Sequence, residues 1–329
     1  MKVLNIVGNY PTEQDPQSGI FIKSQIESLK DKGINVDVFV LKGKGIKKYF
    51  SGIFRLRRHL KIHRYDIFHA HYMYCGWTAR FAVFNKPLIV SFMGSDVYGK
   101  VDVKGEKRFL SAVIHKQFSR LLARLVTFTI VKSQKLSEII NVRSMEVIPN
   151  GVDLDLFKPF KVKFEDLNLC EEKKYILFGG NPWYPEKRYF LAKKAVYFLR
   201  EKIFNSELLY LSNSDQKTVA EYMNAVDCLL LTSSEEGSPN IIKEAMACNL
   251  PVVSVDVGDA GERLCGADNC YVVKSDDPAE ISDSLFKVLN SGKRSDNSRD
   301  IVSLISIDKI ADKLKSVYLE LYLCLNPKI

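Results

Sequence analysis

The sequence predicts an α/β protein with two doubly wound parallel sheets, and three observations support this fold class. Residues 227–255 show a short apolar run, a polar loop, a stretch at helical spacing and a second apolar run. A parallel sheet is wound from such strand, loop, helix and strand units. Residues 3–41 repeat the same order. A chain of 329 residues is also long enough for two domains of ordinary size.

The first domain is predicted over residues 1–157. Its apolar runs have the length of buried strands, and the amphipathic stretches between them have the spacing of helices. We expect strands at 3–7, 34–41, 66–71, 88–92, 125–131 and 145–148, and helices at 20–32 and 112–124. Gly33 is suited to end the first helix, because glycine adopts the left-handed conformation at helix ends.

One segment of the first domain, Lys42–Arg64, is basic and amphipathic. It contains no acidic residue, and its apolar positions recur at spacings of three, four and seven: Ile46, Tyr49, Phe50, Ile53, Phe54 and Leu60. Such a segment is suited to lie on anionic lipid headgroups. An ordinary helix that packs on the sheet with a basic outer face is an equally good interpretation. Binding of this segment to nucleic acid is the least favoured interpretation, because the sequence contains no other RNA- or DNA-binding motif.

The second domain is predicted over residues 165–308. We expect strands at 175–178, 208–211, 227–231, 250–255 and 271–273, and helices at 190–200, 218–225, 239–248 and 278–289. A long amphipathic helix, 307–325, follows. Asp153 and Asp155 lie in the segment between the domains, where turn chemistry explains them better than metal binding.

Composition and charge exclude several classes of protein. No apolar run approaches the length of a membrane span, and Met1–Gly8 has too short an apolar part for a signal peptide. Seven cysteines without a C-x-x-C pair predict reduced thiols in a cytoplasmic protein, not a disulfide framework or a zinc site. Residues 1–160 carry a net charge of +13 and residues 161–329 one of −4. An anionic surface or ligand is therefore expected for the first half alone.

The loop after the strand at 227–231 has the chemistry of a nucleotide-sugar site. Free N–H groups and the helix dipole favour a diphosphate at the start of the next helix. Glu236 before the helix and Glu244 inside it can accept hydrogen bonds from hydroxyls on the two sides of that anion. Solvated surface carboxylates are the common alternative. The predicted helix start has Ser238 as the N-cap and Pro239 as the first helical residue, followed by Asn240 and Ile241.

The complete string from Glu236 to Val253, E-G-S-P-N-I-I-K-E-A-M-A-x-x-x-P-V-V, resembles the donor-site signature of the GT4-type retaining glycosyltransferases. The resemblance covers nearly the whole chain. It implies the GT-B fold, with two Rossmann-like domains facing a central cleft and a C-terminal helix, about 311–329, that crosses back to the first domain. It further implies sugar transfer from a nucleotide diphosphate sugar to an acceptor hydroxyl, in the assembly of a bacterial-type surface polysaccharide or glycolipid. No cofactor and no essential metal are expected.

The resemblance assigns roles to residues of the second domain. It places Glu236 on the transferring sugar as a catalytic residue and Glu244 on the nucleoside side of the donor. The helix start, Ser238 to Ile241, would bind the donor phosphates. Lys187 matches the lysine of a diphosphate clamp, but Asn181 stands where many relatives have arginine. Arg188 is the candidate substitute for that arginine.

In the first domain the resemblance points to three strand ends. Ser18 and Gly19 lie in a small-residue loop that is expected to approach the donor phosphates and the acceptor. His71 is the second histidine of an H-x-H strand end and is expected to be catalytic beside the donor sugar. Asp96 matches the aspartate of an H-G-x-D turn, in which Met93 replaces the usual histidine. Asp96 and Ser18 are therefore candidates for the acceptor side.

The expected partners are a nucleotide diphosphate sugar and a glycan or lipid-linked acceptor. An anionic membrane bound through Lys42–Arg64 is a further candidate, and no nucleic acid is expected. The expected location is the cytoplasm, including the inner face of the membrane. Two alternatives stay open. A GT-B epimerase or hydrolase would turn over donor without an acceptor, and a non-catalytic nucleotide-sugar or polyanion-binding protein would never release nucleotide.

Overall fold

The structure is a computed structural model that describes residues 1–15, 17–106 and 108–325. The chain divides into two compact units. The first unit contains residues 1–100, 109–151 and the chain from Ile307 onward. The second unit contains residues 152–306 and the short 101–108 segment. Each unit has its own parallel sheet, which confirms the predicted α/β class.

A six-stranded parallel sheet forms the centre of the first unit, in the order β2-β1-β3-β4-β5-β6. The elements are numbered along the chain. The strands are β1 (Lys2–Val7), β2 (Asn35–Val40), β3 (Ile67–His71), β4 (Leu88–Phe92), β5 (Phe128–Val131) and β6 (Met145–Val147). The helices are α1 (Ile20–Asp31), α2 (Lys47–His59), α3 (Met73–Ala82), α4 (Ser95–Tyr98), α5 (Phe109–Leu125), α6 (Gln134–Ile140) and α13 (Ile307–Leu325).

A five-stranded parallel sheet forms the centre of the second unit, in the order β11-β10-β9-β7-β8. Its strands are β7 (Lys174–Phe178), β8 (Ser206–Tyr210), β9 (Cys228–Leu231), β10 (Val252–Val255) and β11 (Tyr271–Val273). Its helices are α7 (Tyr189–Leu199), α8 (Gln216–Ala225), α9 (Asn240–Ala247), α10 (Ala260–Leu264), α11 (Pro278–Ser291) and α12 (Ser298–Ser303). Two short 3-10 turns, Phe164–Leu167 and Pro185–Lys187, complete it.

The last helix, α13, belongs to the first unit, as the resemblance implied. It packs on α1, and the Lys315 ammonium donates a hydrogen bond of 2.8 Å to the carbonyl oxygen of Lys32. Lys32 also forms an ion pair of 3.0 Å with Asp312. These contacts fix α13 to the end of α1.

The boundaries between the units differ in detail from the predicted 157, 165 and 308. Val152 pairs with Ser306 in a parallel bridge, and Phe157 lies in the hydrophobic core of the second unit. The chain therefore enters the second unit at 152 and leaves it at 306, at adjacent positions. No described helix is long and apolar enough to cross a membrane.

The basic segment forms helix α2, and its apolar residues divide between two faces. Leu56 is buried, Tyr49 and Ile53 are half-buried, and Gly52 approaches α3 so closely that a Cβ would lie 3.1 Å from the Thr78 methyl group. Three other apolar residues, Ile46, Phe50 and Phe54, are more than half exposed. The helix therefore packs on the unit and still presents an apolar stripe among its basic residues.

Candidate functional site

Both sheets have a topological switch point, where ligands of open α/β proteins bind at the carboxyl ends of the strands. In the second unit the chain moves from β7 to β8 on one side and then to β9 on the other, so the switch point lies between β7 and β9. In the first unit it lies between β1 and β3. Most of the predicted site residues follow these same strands, and Asp96 follows the neighbouring β4.

Helix α9 starts one residue later than the sequence indicated. Pro239 takes the N-cap position, and Asn240 is the first helical residue. The prediction of Ser238 as the N-cap was therefore wrong. The Ser238 hydroxyl donates to Asp259 Oδ2 at 2.8 Å and accepts from the Lys243 ammonium at 3.1 Å, so it is not used to cap the helix. Asn249, directly after the helix, is left-handed with a φ of 55°, as is common for asparagine at a helix end.

A buried polar cluster holds the loop before α9 in place. Lys243 is fully buried, and burial lowers its pKa to about 8. Asp259, also buried, accepts hydrogen bonds from Ser238 and from Arg263 Nε at 2.8 Å. The neighbouring Gly258 has a φ of +56°, and a Cβ there would lie 3.0 Å from the Glu236 carbonyl oxygen. The loop after β10 thus supports the loop that carries Glu236.

Glu244 has an unusual environment for a helical glutamate. It is half-buried, and its carboxylate accepts no hydrogen bond from the rest of the described chain. Burial raises its pKa to about 7, although the charge of the adjacent Lys243 opposes the shift. A half-buried carboxylate that accepts no hydrogen bond is less favourable in its ionised form than one in water. The site therefore has an acceptor that a ligand hydroxyl could satisfy.

Glu236 and Lys187 form an ion pair. The Lys187 ammonium lies 2.5 Å from Glu236 Oε1, and both side chains are less than one quarter exposed. Two hydrogen bonds bring their loops together. Thr232 Oγ1 donates to the Lys187 carbonyl oxygen at 2.9 Å, and the Ser234 N–H donates to the Glu186 carbonyl oxygen at 2.8 Å. A Cβ on Gly180 would lie 2.8 Å from Lys187 Cδ, so this loop needs glycine beside the lysine.

The side chain of Arg188 is held among the loops after β9 and β11. Its Nε donates to the Thr232 carbonyl oxygen at 2.7 Å, and its Nη1 forms an ion pair of 2.6 Å with Asp276. Asn181 is used in a local turn, where its Oδ1 accepts the Trp183 N–H at 2.9 Å. Of these three predicted clamp positions, Lys187 alone lies against Glu236.

In the first unit, Gly19 is the N-cap of α1 and has a φ of +71°. A Cβ at this position would lie 2.6 Å from the Asn9 carbonyl oxygen, so only glycine fits the close approach of the two backbones. Ser18 precedes it and is half-buried. The Gly19 N-cap leaves the first N–H groups of α1 without a side-chain cap.

His71 lies at the switch point of the first sheet, completely buried. Its Nε2 donates to Asn5 Oδ1 at 2.7 Å, whereas its Nδ1 has no hydrogen-bond partner among the described residues. Burial, with the charges of His69 and Lys132, holds the pKa of His71 well below its usual range. The imidazole is therefore neutral and presents one unprotonated nitrogen.

His69 connects His71 to the last helix of the chain. The two imidazoles stack with their centroids 4.3 Å apart. His69 Nδ1 lies 2.6 Å from the Tyr318 hydroxyl, and its Nε2 lies 2.7 Å from the Ser91 hydroxyl. Helix α13 thus supports the histidine pair through Tyr318, which is fully buried.

Asp96 joins the loops after β3 and β4. Its Oδ1 accepts the N–H groups of Met93 and Gly94, both at 2.9 Å, and its Oδ2 accepts the Met73 N–H at 2.8 Å. The side chain is buried, and burial raises its pKa. Tyr72, directly after His71, has a φ of 72° and a ψ of 150°, a conformation that costs energy in a residue other than glycine. Asp96 helps to fix the strained turn that follows His71.

No three His, Cys, Asp or Glu side chains of the described chain are grouped so that they could hold a metal ion.

Two family models match the chain. The model of Glycosyltransferase Family 4 matches residues 23–156, and the model of the Glycosyl transferases group 1 matches residues 171–291. The chain belongs to glycosyltransferase family 4. It is therefore a glycosyltransferase.

Curated relatives of this family 4 enzyme are distant but extend over most of its length. A Bacillus subtilis protein named for teichuronic acid biosynthesis, TuaC, is 22% identical over 357 residues, covering 87% of this chain and 89% of the relative. An Escherichia coli enzyme named UDP-Gal:alpha-D-GlcNAc-diphosphoundecaprenol alpha-1,3-galactosyltransferase is 22% identical over 315 residues, covering 83% and 80%.

The same architecture is found in solved structures. Sucrose-phosphate synthase from Thermosynechococcus elongatus superposes with a TM-score of 0.82 at 15% identity, over 98% of this chain and 100% of the other. At this identity the likeness shows the fold, and it confirms the GT-B class predicted from the sequence.

Several residues of this glycosyltransferase were not indicated by its sequence. Lys243 and Asp259, which support the Glu236 loop, are ordinary charged residues until the fold buries them. Asn5 and Tyr318, which contact the histidine pair, lie at opposite ends of the chain. The one available signal was the polar side chain of Asn5 inside an otherwise apolar strand.

Proposed function

We propose that this enzyme transfers a sugar from a nucleotide diphosphate sugar, with retention of anomeric configuration, to a hydroxyl group of a lipid-linked glycan in surface polysaccharide or glycolipid assembly. The curated relatives act, by their names, in teichuronic acid biosynthesis and on a diphosphoundecaprenol-linked sugar. We extend a lipid-linked acceptor from these relatives to this chain as part of the proposal.

The observation that carries the proposal is the Glu244 carboxylate, which is half-buried and accepts no hydrogen bond from the described chain. Two adjacent ribose hydroxyls are donors of the right kind for its two oxygens. The start of α9, which has Pro239 as its N-cap and no side-chain cap, lies about one turn before Glu244, and the dipole at a helix start favours the donor diphosphate. A nucleoside diphosphate therefore matches the sequence of donors and acceptors along this helix.

Lys187 and Glu236 would act on the other side of the diphosphate. The Lys187 ammonium would stabilise the negative charge that develops on the leaving nucleoside diphosphate. Glu236 holds that ammonium at 2.5 Å and would orient the transferring sugar through its hydroxyls. As the resemblance to the retaining enzymes implies, an oxygen of the leaving diphosphate would take the acceptor proton while the bond from the sugar to the acceptor oxygen forms and the bond to the diphosphate breaks.

His71 would contribute from the first unit as a hydrogen-bonding group. Its lowered pKa excludes the imidazolium form near neutral pH, so it would not act as a general acid. Its unprotonated Nδ1 could accept a hydrogen bond from a sugar hydroxyl. The loop of Ser18 and Gly19 would approach the donor phosphates.

The first unit would bring the enzyme to the inner face of an anionic membrane through Lys42–Arg64. This segment has no acidic residue, and α2 exposes Ile46, Phe50 and Phe54 beside its basic side chains. Basic amphipathic helices with exposed apolar residues lie in the interface of anionic bilayers.

The first experiment is a screen for the donor and then for the acceptor. UDP-, GDP- and ADP-sugars are compared by thermal shift, because a ligand that binds only the native state raises the melting temperature. Nucleotide release is then measured with and without polyprenyl-diphosphate-linked sugars. Release that requires the acceptor supports the transferase. Equal release without acceptor means a hydrolase, conversion of the donor into an isomeric nucleotide sugar without net release means an epimerase, and binding with neither release nor conversion means a binding protein.

The second experiment separates the two glutamates. Glu244→Gln should weaken the binding of both the nucleotide sugar and the free nucleoside diphosphate. Glu236→Gln should leave the affinity for nucleoside diphosphate nearly intact and lower turnover sharply, since it orients the sugar. If the Glu236→Gln variant turned over at the wild-type rate, the assignment of Glu236 to the transferring sugar would be wrong. The adjacent Glu235 would then be tested.

A further inference from the structure

A cavity of about 370 Å³ opens on the surface of the first unit, away from the switch point. It lies between the end of α2, the start of β3 and the end of α3, and its basic lining residues are Arg57, His63, Arg64 and Lys86. No acidic residue is among the residues that line it. We call these four side chains the cation pocket.

Two of these cations have no protein partner. Neither the Arg64 guanidinium nor the Lys86 ammonium makes a hydrogen bond or ion pair within the described ranges of the chain. Arg57 uses Nη2 to donate to the Phe81 carbonyl oxygen at 2.8 Å, which leaves its other N–H groups available. The nearby carboxylate of Asp37 is occupied by Lys2 at 2.9 Å and by the Tyr65 hydroxyl at 2.8 Å.

The helix dipole explains only part of this arrangement. Arg57 lies in the last turn of α2, where a cation is favourable. Arg64 and Lys86 lie five and four residues beyond the last residues of α2 and α3, outside the range of those dipoles. Like charges in one cavity repel each other. An anion that enters the pocket would remove this repulsion.

The rim of the pocket is apolar and exposed. Phe84 lines the cavity and is 70% exposed, and Ile62, next to His63, is 78% exposed. Phe81, which stacks on Trp77 with centroids 5.6 Å apart, is 52% exposed. A free phosphate compound in water gains nothing from such a rim, whereas aromatic and aliphatic side chains beside cations are typical of the membrane interface.

We infer that the cation pocket binds the phosphate group of a membrane lipid while the rim residues insert among the acyl chains. A phosphomonoester headgroup should be preferred, because it carries nearly two negative charges at neutral pH, against the charges of Arg57, Arg64 and Lys86. This inference rests on the membrane docking proposed above. It adds to a diffuse electrostatic attraction a specific site for one lipid headgroup.

The test compares two double variants that each remove one arginine and one lysine from the same basic surface. Arg64→Gln with Lys86→Gln empties the pocket. Arg58→Gln with Lys61→Gln is the matched control, because neither residue lines the cavity. Binding is measured by co-sedimentation with phosphatidylcholine vesicles that contain either phosphatidic acid or phosphatidylserine, adjusted to the same surface potential.

The pocket variant should lose about tenfold or more of its affinity for phosphatidic acid vesicles, the effect of lost hydrogen bonds between charged groups. The control variant should lose less, and equally on both lipids. Equal losses for the two variants on both lipids would overturn the site and leave only diffuse attraction.

Two further measurements distinguish a lipid phosphate from a soluble one and the pocket from the donor site. Glycerol 3-phosphate binding is measured by calorimetry. If the pocket variant no longer binds glycerol 3-phosphate but binds vesicles as the wild type does, the pocket binds a soluble phosphate compound and the lipid assignment is wrong. Nucleoside diphosphate binding should be the same in wild type and both variants, since none of the four positions lies in the second unit. A protein that binds phosphatidic acid through the pocket but transfers no sugar would overturn the proposed function alone.

Discussion

The raised pKa of Glu244 predicts that donor affinity depends on pH. The ionised carboxylate is the form that accepts hydrogen bonds from the ribose hydroxyls, and hydrogen bonds to the charged form favour it. With a pKa of about 7 in the free enzyme, roughly one tenth of the molecules are ionised at pH 6 and roughly nine tenths at pH 8. The affinity for a nucleotide sugar should therefore rise about tenfold between these pH values, or ~1.4 kcal/mol.

The assay is isothermal titration calorimetry with the preferred nucleotide sugar from pH 6 to pH 8, without acceptor. A nucleotide sugar is better than a nucleoside diphosphate, because the latter has a terminal phosphate that titrates in this range. Measurements at pH 6.5 in buffers of different ionisation enthalpy should show that binding releases a proton.

Glu244→Gln provides the control, because it removes the titrating carboxyl group and keeps Lys243, whose pKa of about 8 also falls in this range. The variant should bind more weakly at pH 8 and lose most of the pH dependence. If the variant kept the wild-type dependence, the titrating group would be Lys243 or another residue, and the assignment of Glu244 to the ribose would have no support.

Three further outcomes follow from the same contacts. Glu244→Gln should stabilise the ligand-free protein at pH 8 by up to about 3 kcal/mol and much less at pH 4.5 in urea unfolding, because the unfolded glutamate ionises near its ordinary pKa and the folded one only near 7. Lys187→Met should weaken nucleoside diphosphate binding about 10- to 100-fold in calorimetry, the loss of a hydrogen bond between charged groups, and an unchanged dissociation constant would exclude the clamp role. Gly19→Ala should lower stability by about 1–3 kcal/mol in thermal unfolding, since alanine must adopt a φ of +71° against the Asn9 carbonyl; a wild-type melting temperature would contradict that geometry.

The sequence predicted the two sheets because their strands are buried on both faces. Cys228–Leu231 is continuously apolar, Leu88–Phe92 is apolar except for Ser91, and both runs match the observed strands. Helix α3 was not indicated, because Met73–Ala82 has buried residues around much of its circumference and no clear polar face. Periodicity cannot identify such a helix.

At the candidate site, the sequence indicated which residues lie in the loops around the switch point better than it indicated their contacts. Glu236, Glu244 and Lys187 were selected from the motif and the loop spacing. The ion pair between Lys187 and Glu236 was not indicated, because it joins loops 49 residues apart in the chain. Ser238 satisfied the usual rule for an N-cap, but a buried aspartate and lysine compete for its hydroxyl. Such competition depends on tertiary contacts that local sequence rules do not contain.

The position of α13 has a consequence for synthesis on the ribosome. All strands and helices of residues 152–306 leave the ribosomal tunnel before Tyr318, whose hydroxyl contacts His69 in a strand made some 250 residues earlier. The strands of the first sheet are therefore synthesised before α13, and His69 lacks its Tyr318 contact until α13 has been translated. A premature stop codon shortly after Ser306 would spare every strand and helix of residues 152–306, yet it would remove a helix that supports the buried histidines of the other unit.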